Sequence, residues 1–492
     1  MNQINPEHQR TLSIQALTEE PLDVLIIGGG IVGSGVARDA AMRGLGVGLV
    51  EQHDFAFGTS GRSSRLLHGG MRYLAQGRLG LVRQASMEKR ILHRIAPHLA
   101  EPLAFLFPTY RSTDWPLWQL RIGVKIYDLL CGGKNFGKSV SLSRDETLRR
   151  TPTLNAEQLT GAVQYFDALT NDARLVLDTI RSAANAGAIV LNYFKFTDAH
   201  RESGLWRCEV EDRLTGQNHS LRTRAVVNAT GPWADGLPHS HVKLRLTKGI
   251  HLVIDHSRLP VPSAVVMTTG KRILFVIPWG ERVILGTTDT DYGGSLESVG
   301  ADRNDIDYVL RVVNEFFPTA RISMEDVIST WAGLRPLLAN PNGTPSDISR
   351  SHEIHNPEPG WWDVAGGKLT TYRLMAEQTV DQIVKSLKKL NGLQRKIVPC
   401  RTADEPLLLP ADIAGLSGIL PAEFGRRAVE HFCVNEWAVH LDDVMIRRTG
   451  WHYYHTDADR KAGQVAQWMG EMLNWSPAQR AEELKHYERA NK

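Results

Sequence analysis

Apolar residues fall in short runs, and the residues that close each run indicate the architecture. Leu22-Asp23-Val24-Leu25-Ile26-Ile27 breaks at Gly28-Gly29-Gly30, small residues recur at Gly33, Gly35, Ala37, Ala40 and Ala41, and the chain turns apolar again over Val47-Gly48-Leu49-Val50. This pattern predicts strand, turn, helix and strand within 30 residues. A second strand, Ala225-Val226-Val227, runs into Asn228-Ala229-Thr230-Gly231; a third, Trp361 to Ala365, runs into Gly366-Gly367-Lys368 before a helix-like stretch to about Leu387. Three strands ending in glycine predict one domain assembled from distant segments. Segments 248 to 255, 273 to 279 and 282 to 288 are β-rich, with a hairpin turn expected at Gly280-Glu281, and predict an antiparallel sheet. After a linker containing Pro399, Pro406 and Pro410, helical patterns run from Arg426 to Arg448 and from Ala462 to Leu473.

The 492 residues allow about three units at ~150 residues each. A formal charge of only +3 excludes a strongly basic nucleic-acid binder. That sum hides an asymmetry: residues 62 to 138 hold 13 Lys and Arg against 4 Asp and Glu, so an anionic substrate and an anionic lipid surface both suit this segment. Cys131, Cys208, Cys400 and Cys433 have neither C-x-x-C nor framework spacing and read as reduced structural thiols. Residues 1 to 21 are polar and read as a loose tail without a signal peptide, hence a cytoplasmic expectation. The longest uncharged run, Val24 to Ala37, has 14 residues with five glycines, too short to span a bilayer.

Gly28, Gly30 and Gly33 form G-x-G-x-x-G between a strand and a helix, and Glu51 ends the second strand 18 positions after Gly33. The first glycine permits the turn, the second admits a pyrophosphate, the third lets helix and strand pack, and the carboxylate accepts from a ribose diol. The motif alone fits NAD or FAD. The later glycine-ended strands favour FAD, because an extended cofactor needs distant segments to close over it. The helix after Gly366-Gly367 would turn its positive end toward the charge of a reduced flavin. The expected fold is therefore α/β: a discontinuous Rossmann-like FAD-binding domain, an antiparallel-sheet substrate domain and a small C-terminal helical domain. The expected divisions are a tail at 1–21, an oxidoreductase core at 22–395 and a helical domain at 396–492. Within the core, FAD-binding pieces fall at about 22–75, 150–245 and 355–395, with substrate pieces at about 76–149 and 246–354.

Further blocks carry a resemblance. Gly58-Thr59-Ser60 with Arg62-Ser63-Ser64, Leu67-His68-Gly69-Gly70-Met71-Arg72-Tyr73-Leu74, Asn171-Asp172-Ala173-Arg174-Leu175, Val227 to Trp233, Lys248-Gly249-Ile250-His251, Gly286-Thr287-Thr288-Asp289, Gly333-Leu334-Arg335-Pro336-Leu337 and Gly366 to Arg373 occur in this order. Over about residues 22 to 395 the chain resembles the FAD-dependent, aerobic-type glycerol-3-phosphate dehydrogenases, within the glycine-oxidase-like flavoproteins. The resemblance implies oxidation of sn-glycerol 3-phosphate to dihydroxyacetone phosphate, with electrons passing from FAD to membrane quinone. It places Arg72, Tyr73, His251, Arg335, Arg350 and Lys368 in the substrate pocket. Thr59, Ser60, Ser63, Ser64, His68, Gly69, Gly231, Gly366, Gly367, Lys368, Leu369 and Thr370 join Gly28, Gly30, Gly33 and Glu51 beside FAD. The region after 400 is shorter than in longer members, which leaves a homodimer and any C-terminal membrane contact as open expectations. The substrate region has no large insert of the kind associated with oxygen-using members.

The chemistry asks for the same residue types. A phosphate monoester carries nearly two charges, which guanidinium forks and an ammonium bind; Arg335 and Arg350 are the expected anchors, with Arg72, Tyr73 and Lys368 nearer the reacting alcohol or the flavin. Alcohol oxidation needs a base, and His251 is the candidate, with His68 its competitor. Catalytic roles are thus expected of His251, Arg72, Arg335 and Lys368. Pairs such as His239 with His241, His352 with His355, and His452 with His455 lack the further ligands of a zinc pattern and read as solvated loop histidines, so no metal is expected. Trp115 to Tyr127, with Arg121 and Lys125 on one helical face, fits either an interfacial helix or a core helix with snorkelling cations. A related flavin amine or hydroxy-acid oxidase and a non-catalytic flavin-binding protein stay open as alternatives.

Overall fold

The structure, a computed structural model, describes residues 6–74, 76–111, 115–133, 135–270, 272–339, 352–389 and 396–490. Strand Leu22–Ile27 sits at the centre of an eight-stranded sheet. Val47–Val50 and Gln217–Asn228 flank it in parallel, followed by Ile189–Leu191 on one side and Trp361–Gly366 on the other. Ile27 pairs with both Val50 and Asn228, so these strands end level, and their glycine turns line one edge of the sheet. Ligands of open parallel sheets bind at that carboxyl edge.

Alternation along the central strand explains why both of its faces are apolar. Val24 and Ile26 pack beneath helices Ile31–Met42, Asp172–Asn185 and Tyr372–Lys389. Leu25 and Ile27 pack against Phe194, Phe196, Trp206 and Trp361 on the other side. The small residues of the first helix give its neighbour access: a Cβ on Gly35 would stand 2.9 Å from the Tyr372 ring. The loose tail expected over 1–21 is a helix at Pro6–Glu19. Its Leu17 is fully buried over the sheet, and Arg10 donates to Asp212 at 2.7 Å and to the Asn192 carbonyl at 2.9 Å. One apolar anchor and one ion pair suffice to dock a segment whose polar composition reads as tail.

The second sheet has ten strands and is antiparallel apart from one contact, Ala264–Thr269 with Glu101–Tyr110. The expected hairpin joins Arg272–Trp279 to Arg282–Gly286, with Trp279 opposite Arg282 and Gly280 at φ +59°. Leu159–Leu169, which the 150–245 span assigns to the cofactor part, pairs instead with Glu101–Tyr110 in this sheet. The chain crosses between sheets there without a change in composition.

The helix expected over 426–448 is broken. Arg426–Asn435 stops, Trp437 takes φ +54°, and Asp443–Arg448 forms a π-helical turn. Buried charges account for the break. Asp443 Oδ2 accepts from the Val439 and His440 N–H groups at 2.7 and 2.9 Å, while Arg448 donates to Asp54 of the core at 2.9 Å and to the Glu436 carbonyl at 2.7 Å. Arg174, on the helix after Asn171, holds Glu436 through two bonds of 2.6 and 3.0 Å. The C-terminal helices are thereby bolted beneath the cofactor edge. Among the described residues no helix is long and apolar enough to cross a membrane.

Candidate active site

A cavity of about 580 Å³ runs along the carboxyl edge from Glu51 past Gly30 to Gly366, Gly367 and Leu369. Gly28 has φ +110°, and a Cβ on Gly33 would lie 1.9 Å from the Gly28 carbonyl oxygen, so the turn and the helix–strand contact both require glycine. Glu51 accepts from Gly29 N–H at 2.7 Å and His53 N–H at 2.8 Å, leaving lone pairs for a diol. Burial pushes its carboxyl up to about 7 against those two donors. Beside Gly30, Ser60 Oγ accepts from Ile31 N–H at 3.0 Å and keeps its own proton to donate. Gly231 lines the same cavity.

Not every expected cofactor residue faces that cavity with a free group. Thr59 Oγ1 donates to the Leu334 carbonyl at 2.6 Å. Gly69 turns its N–H to Tyr127 Oη at 2.9 Å, where a Cβ could not fit. Thr370 Oγ1 bridges the N–H and carbonyl of His68 at 3.1 and 3.2 Å. Ser63 Oγ accepts from Arg65 N–H at 3.0 Å. These groups shape the loops that enclose the cavity, a role that a motif match alone does not separate from direct contact. His68 lines both this cavity and its neighbour.

The neighbouring cavity, about 370 Å³, opens where the second sheet meets the edge. Register builds the polar wall of the first cavity at this junction, with Arg335 shared by both. In the antiparallel pair Leu244–Asp255 and Val327–Leu338, His251 stands opposite Trp331, Gly249 opposite Gly333 and Thr247 opposite Arg335, so these residues share one face. The central glycine pair opens a trough: a Cβ on Gly249 would lie 2.4 Å from Arg335 Nη2. Arg335 Nη1 donates to Asp289 and to the Thr288 carbonyl, and Nη2 to Thr287 Oγ1, each at 3.1 Å.

His251 is buried, stacks on Trp331 with centroids 5.1 Å apart, and shares a 2.8 Å hydrogen bond between Nε2 and Ser64 Oγ. Burial, then Arg335 and Arg65, hold its pKa down at about 3, so the ring is neutral. Lys368 Nζ lies 4.0 Å from the centroid of the buried Tyr73 ring, at the seam of the two cavities. Arg72 belongs to the turn Met71–Tyr73, but its side chain, like the whole of Arg350, lies outside the described residues.

Three contributors escape a reading by motif. Trp331 floors the histidine, Arg65 lies over Trp279 and Trp331 at 4.3 and 5.1 Å, and Asp289 presets Arg335. Only Asp289 left a trace, as the end of Gly286-Thr287-Thr288-Asp289. Three of the six histidines read as solvated are engaged instead: His239 bonds Glu358 and the Ala199 carbonyl, each at 2.9 Å, His352 bonds Gln378, and His452 bonds Tyr487 at 2.7 Å, while His355 is half exposed.

The cradle, the buried carboxylate and the long cavity fit FAD, and with two sheets meeting over it they define a two-domain flavin oxidoreductase. Residues 23–382 match the family model described as FAD dependent oxidoreductase, and residues 421–480 the one described as C-terminal domain of alpha-glycerophosphate oxidase. The aerobic glycerol-3-phosphate dehydrogenase of Staphylococcus aureus strain USA300 is 35% identical, with 94% of this chain and 93% of that protein covered. The glycerol-3-phosphate dehydrogenase of Bacillus halodurans, solved in complex with FAD, superposes with a TM-score of 0.79 at 30% identity, covering 98% of this chain and 97% of that one. The L-alpha-glycerophosphate oxidase of Mycoplasma pneumoniae shares the fold at 18% identity, with a TM-score of 0.61 over 79% of this chain and 100% of its own. The chain belongs to the FAD-dependent oxidoreductases, in the aerobic-type glycerol-3-phosphate dehydrogenase family, and its cofactor is FAD.

Proposed function

We propose that the protein oxidises sn-glycerol 3-phosphate to dihydroxyacetone phosphate and delivers the electrons to quinone at a membrane surface. The observation that carries the reading is the trough in which Arg335, Lys368 and the neutral His251 converge beside Gly366-Gly367. Bound FAD supplies the two-electron acceptor.

The chain's own residues supply position and proton handling. Arg335, set by Asp289 and Thr287, offers a fork to the phosphate oxygens, and Lys368 adds a compact charge. A single carboxylate needs only one guanidinium, so this cationic wall favours a phosphate over an amino-acid substrate. The family resemblance adds Arg72 and Arg350 to the substrate-binding set. His251 Nε2, neutral and held by Ser64 and Trp331, accepts the proton of the C2 hydroxyl. Gly69, whose N–H is held by Tyr127 and Asp167, fixes the loop between His68 and Gly70 beside the cavities.

The second cavity supports the acceptor side. Phe105, Trp115, Leu120, Ile122, Ile126 and Phe275 line it, and Ile122 and Ile126 belong to helix Leu117–Leu130. That helix buries Leu120, Val124 and Tyr127 and exposes Trp118, Ile122, Ile126 and Leu129. Arg121 and Lys125 interleave with the exposed apolar residues, and the combination matches an anionic lipid surface. The reading is tested by steady-state turnover with glycerol 3-phosphate and a soluble quinone analogue. Formation of dihydroxyacetone phosphate in step with quinone reduction is expected. Turnover with glycine but none with glycerol 3-phosphate would refute it.

A further inference from the structure

In the C-terminal helices, three side chains with metal-binding chemistry meet, and Asp442 stands beside one of them. His440 Nδ1 lies 2.8 Å from Glu483 Oε1, and His486 Nδ1 lies 3.7 Å from Asp442 Oδ1. The ligand atoms of His440, Glu483 and His486 all fall within 4.8 Å of one another. Donors at ~2.0–2.2 Å from a tetrahedral ion stand ~3.3 Å apart, and His486, which is half exposed, is free to rotate toward His440 and Glu483 to close that spacing for the three of them.

Glu483 is held from behind, and Asp442 adds a negative charge at the edge of the group. Glu483 Oε2 accepts from Leu441 N–H at 3.0 Å, and its Oε1 faces the cluster. Asp442 Oδ2 accepts from Arg447 at 2.6 Å, while its Oδ1 is buried, accepts no hydrogen bond and points at His486. A buried carboxylate oxygen left without a donor costs free energy unless a cation meets it. His440 is oriented as well: its ring packs edge-on to Tyr193 at 4.7 Å, and its backbone N–H donates to Asp443. Partners behind the ligands fix carboxylate and imidazole orientation at metal centres in this manner.

We propose that His440, Glu483 and His486 form a structural site for a divalent transition ion of the zinc class, with Asp442 beside His486 and water completing the shell. Two nitrogen donors and one carboxylate suit zinc better than calcium or magnesium, which take all-oxygen sets. The site gives helix Pro477–Ala490 a tie that its packing lacks, since Tyr487 is the one buried residue among its described positions. The ion clamps that helix to the turn whose Asp443 and Arg447 reach Tyr193 and Asp54 of the core.

The test uses tag-free, FAD-loaded, full-length protein stripped with chelator and titrated with Co²⁺. One equivalent is expected to bring up the visible bands of a four-coordinate cobalt ion, displaced by Zn²⁺, together with a rise in melting temperature. His486→Gln, at a half-exposed position, is expected to keep FAD content and weaken binding about tenfold or more. His440→Gln serves as the second variant, with FAD content reporting its folding. Absence of cobalt bands and of any melting shift under excess Zn²⁺, or binding unchanged in both variants, would overturn the site.

Discussion

His251 is assigned its role on a ring kept neutral by burial and by two arginines, and this has a kinetic signature. Its basic form persists above a pKa of about 3, so it contributes no acid limb near 6.5 to the pH profile of flavin reduction. A limb near pH 6 is expected only from the second ionisation of the substrate phosphate. A limb near 6.5 that vanishes in His251→Asn would contradict the assignment. His251→Ala is expected to slow flavin reduction by about 10²-fold or more without lowering FAD content; normal anaerobic reduction in that variant would refute the base role. Gly249 gives an independent test of the anion site. Its missing Cβ makes room for Arg335, so Gly249→Ala should raise KM for glycerol 3-phosphate by roughly 10-fold or more through displacement of that guanidinium. Unchanged KM would mean the fork does not bind the phosphate.

The glycine-ended strands, the hairpin and the first βαβ unit were legible because each carries a local signal: an apolar run, a turn that needs glycine, and a small-residue helix face. The trough was only partly legible. His251 and Arg335 could be named from their motifs, but that they share a face depends on a register between strands some 80 residues apart, which no local pattern encodes. The same limit explains Trp331 and Arg65, which act through contacts distant in sequence. Helix Leu117–Leu130 resolves an ambiguity of the pattern: it is both a packed helix, through Leu120, Val124 and Tyr127, and an apolar surface, through Trp118, Ile122 and Leu129. Arg121 and Lys125 also reach Ser141 Oγ and the Ser139 carbonyl, at 2.6 and 3.2 Å. Sedimentation with anionic vesicles is expected to capture the protein, and Arg121→Glu with Lys125→Glu to release it. Binding that ignores this double change removes the helix from the lipid contact.

The whole molecule is held together by charge across its parts. Asp54, three residues after Glu51, is buried and paired with Arg447 and Arg448 of the C-terminal helices, which hold its carboxyl well below the usual range despite burial. Because its folded pKa is depressed, this pair stabilises the protein above the carboxylate's unfolded pKa near ~4 and is lost as pH falls below that. Arg448→Met leaves the buried Asp54 carboxylate with only Arg447 of the two arginines and should cost about 1–3 kcal/mol, read as a lowered denaturation midpoint with early loss of FAD. A midpoint within the error of the unaltered protein would show that the parts are not coupled there. None of this coupling was readable in a composition that sums to +3, because opposite charges far apart in sequence cancel in the count whether or not they meet.

Oxidation of a phosphorylated alcohol in a cationic trough set against a flavin edge is tested most directly by anaerobic mixing of the yellow protein with candidate substrates. Glycerol 3-phosphate is predicted to bleach the flavin absorbance, while glycerol, glycine and NADH leave it unchanged; bleaching by glycine or NADH, or none by glycerol 3-phosphate, would contradict that assignment.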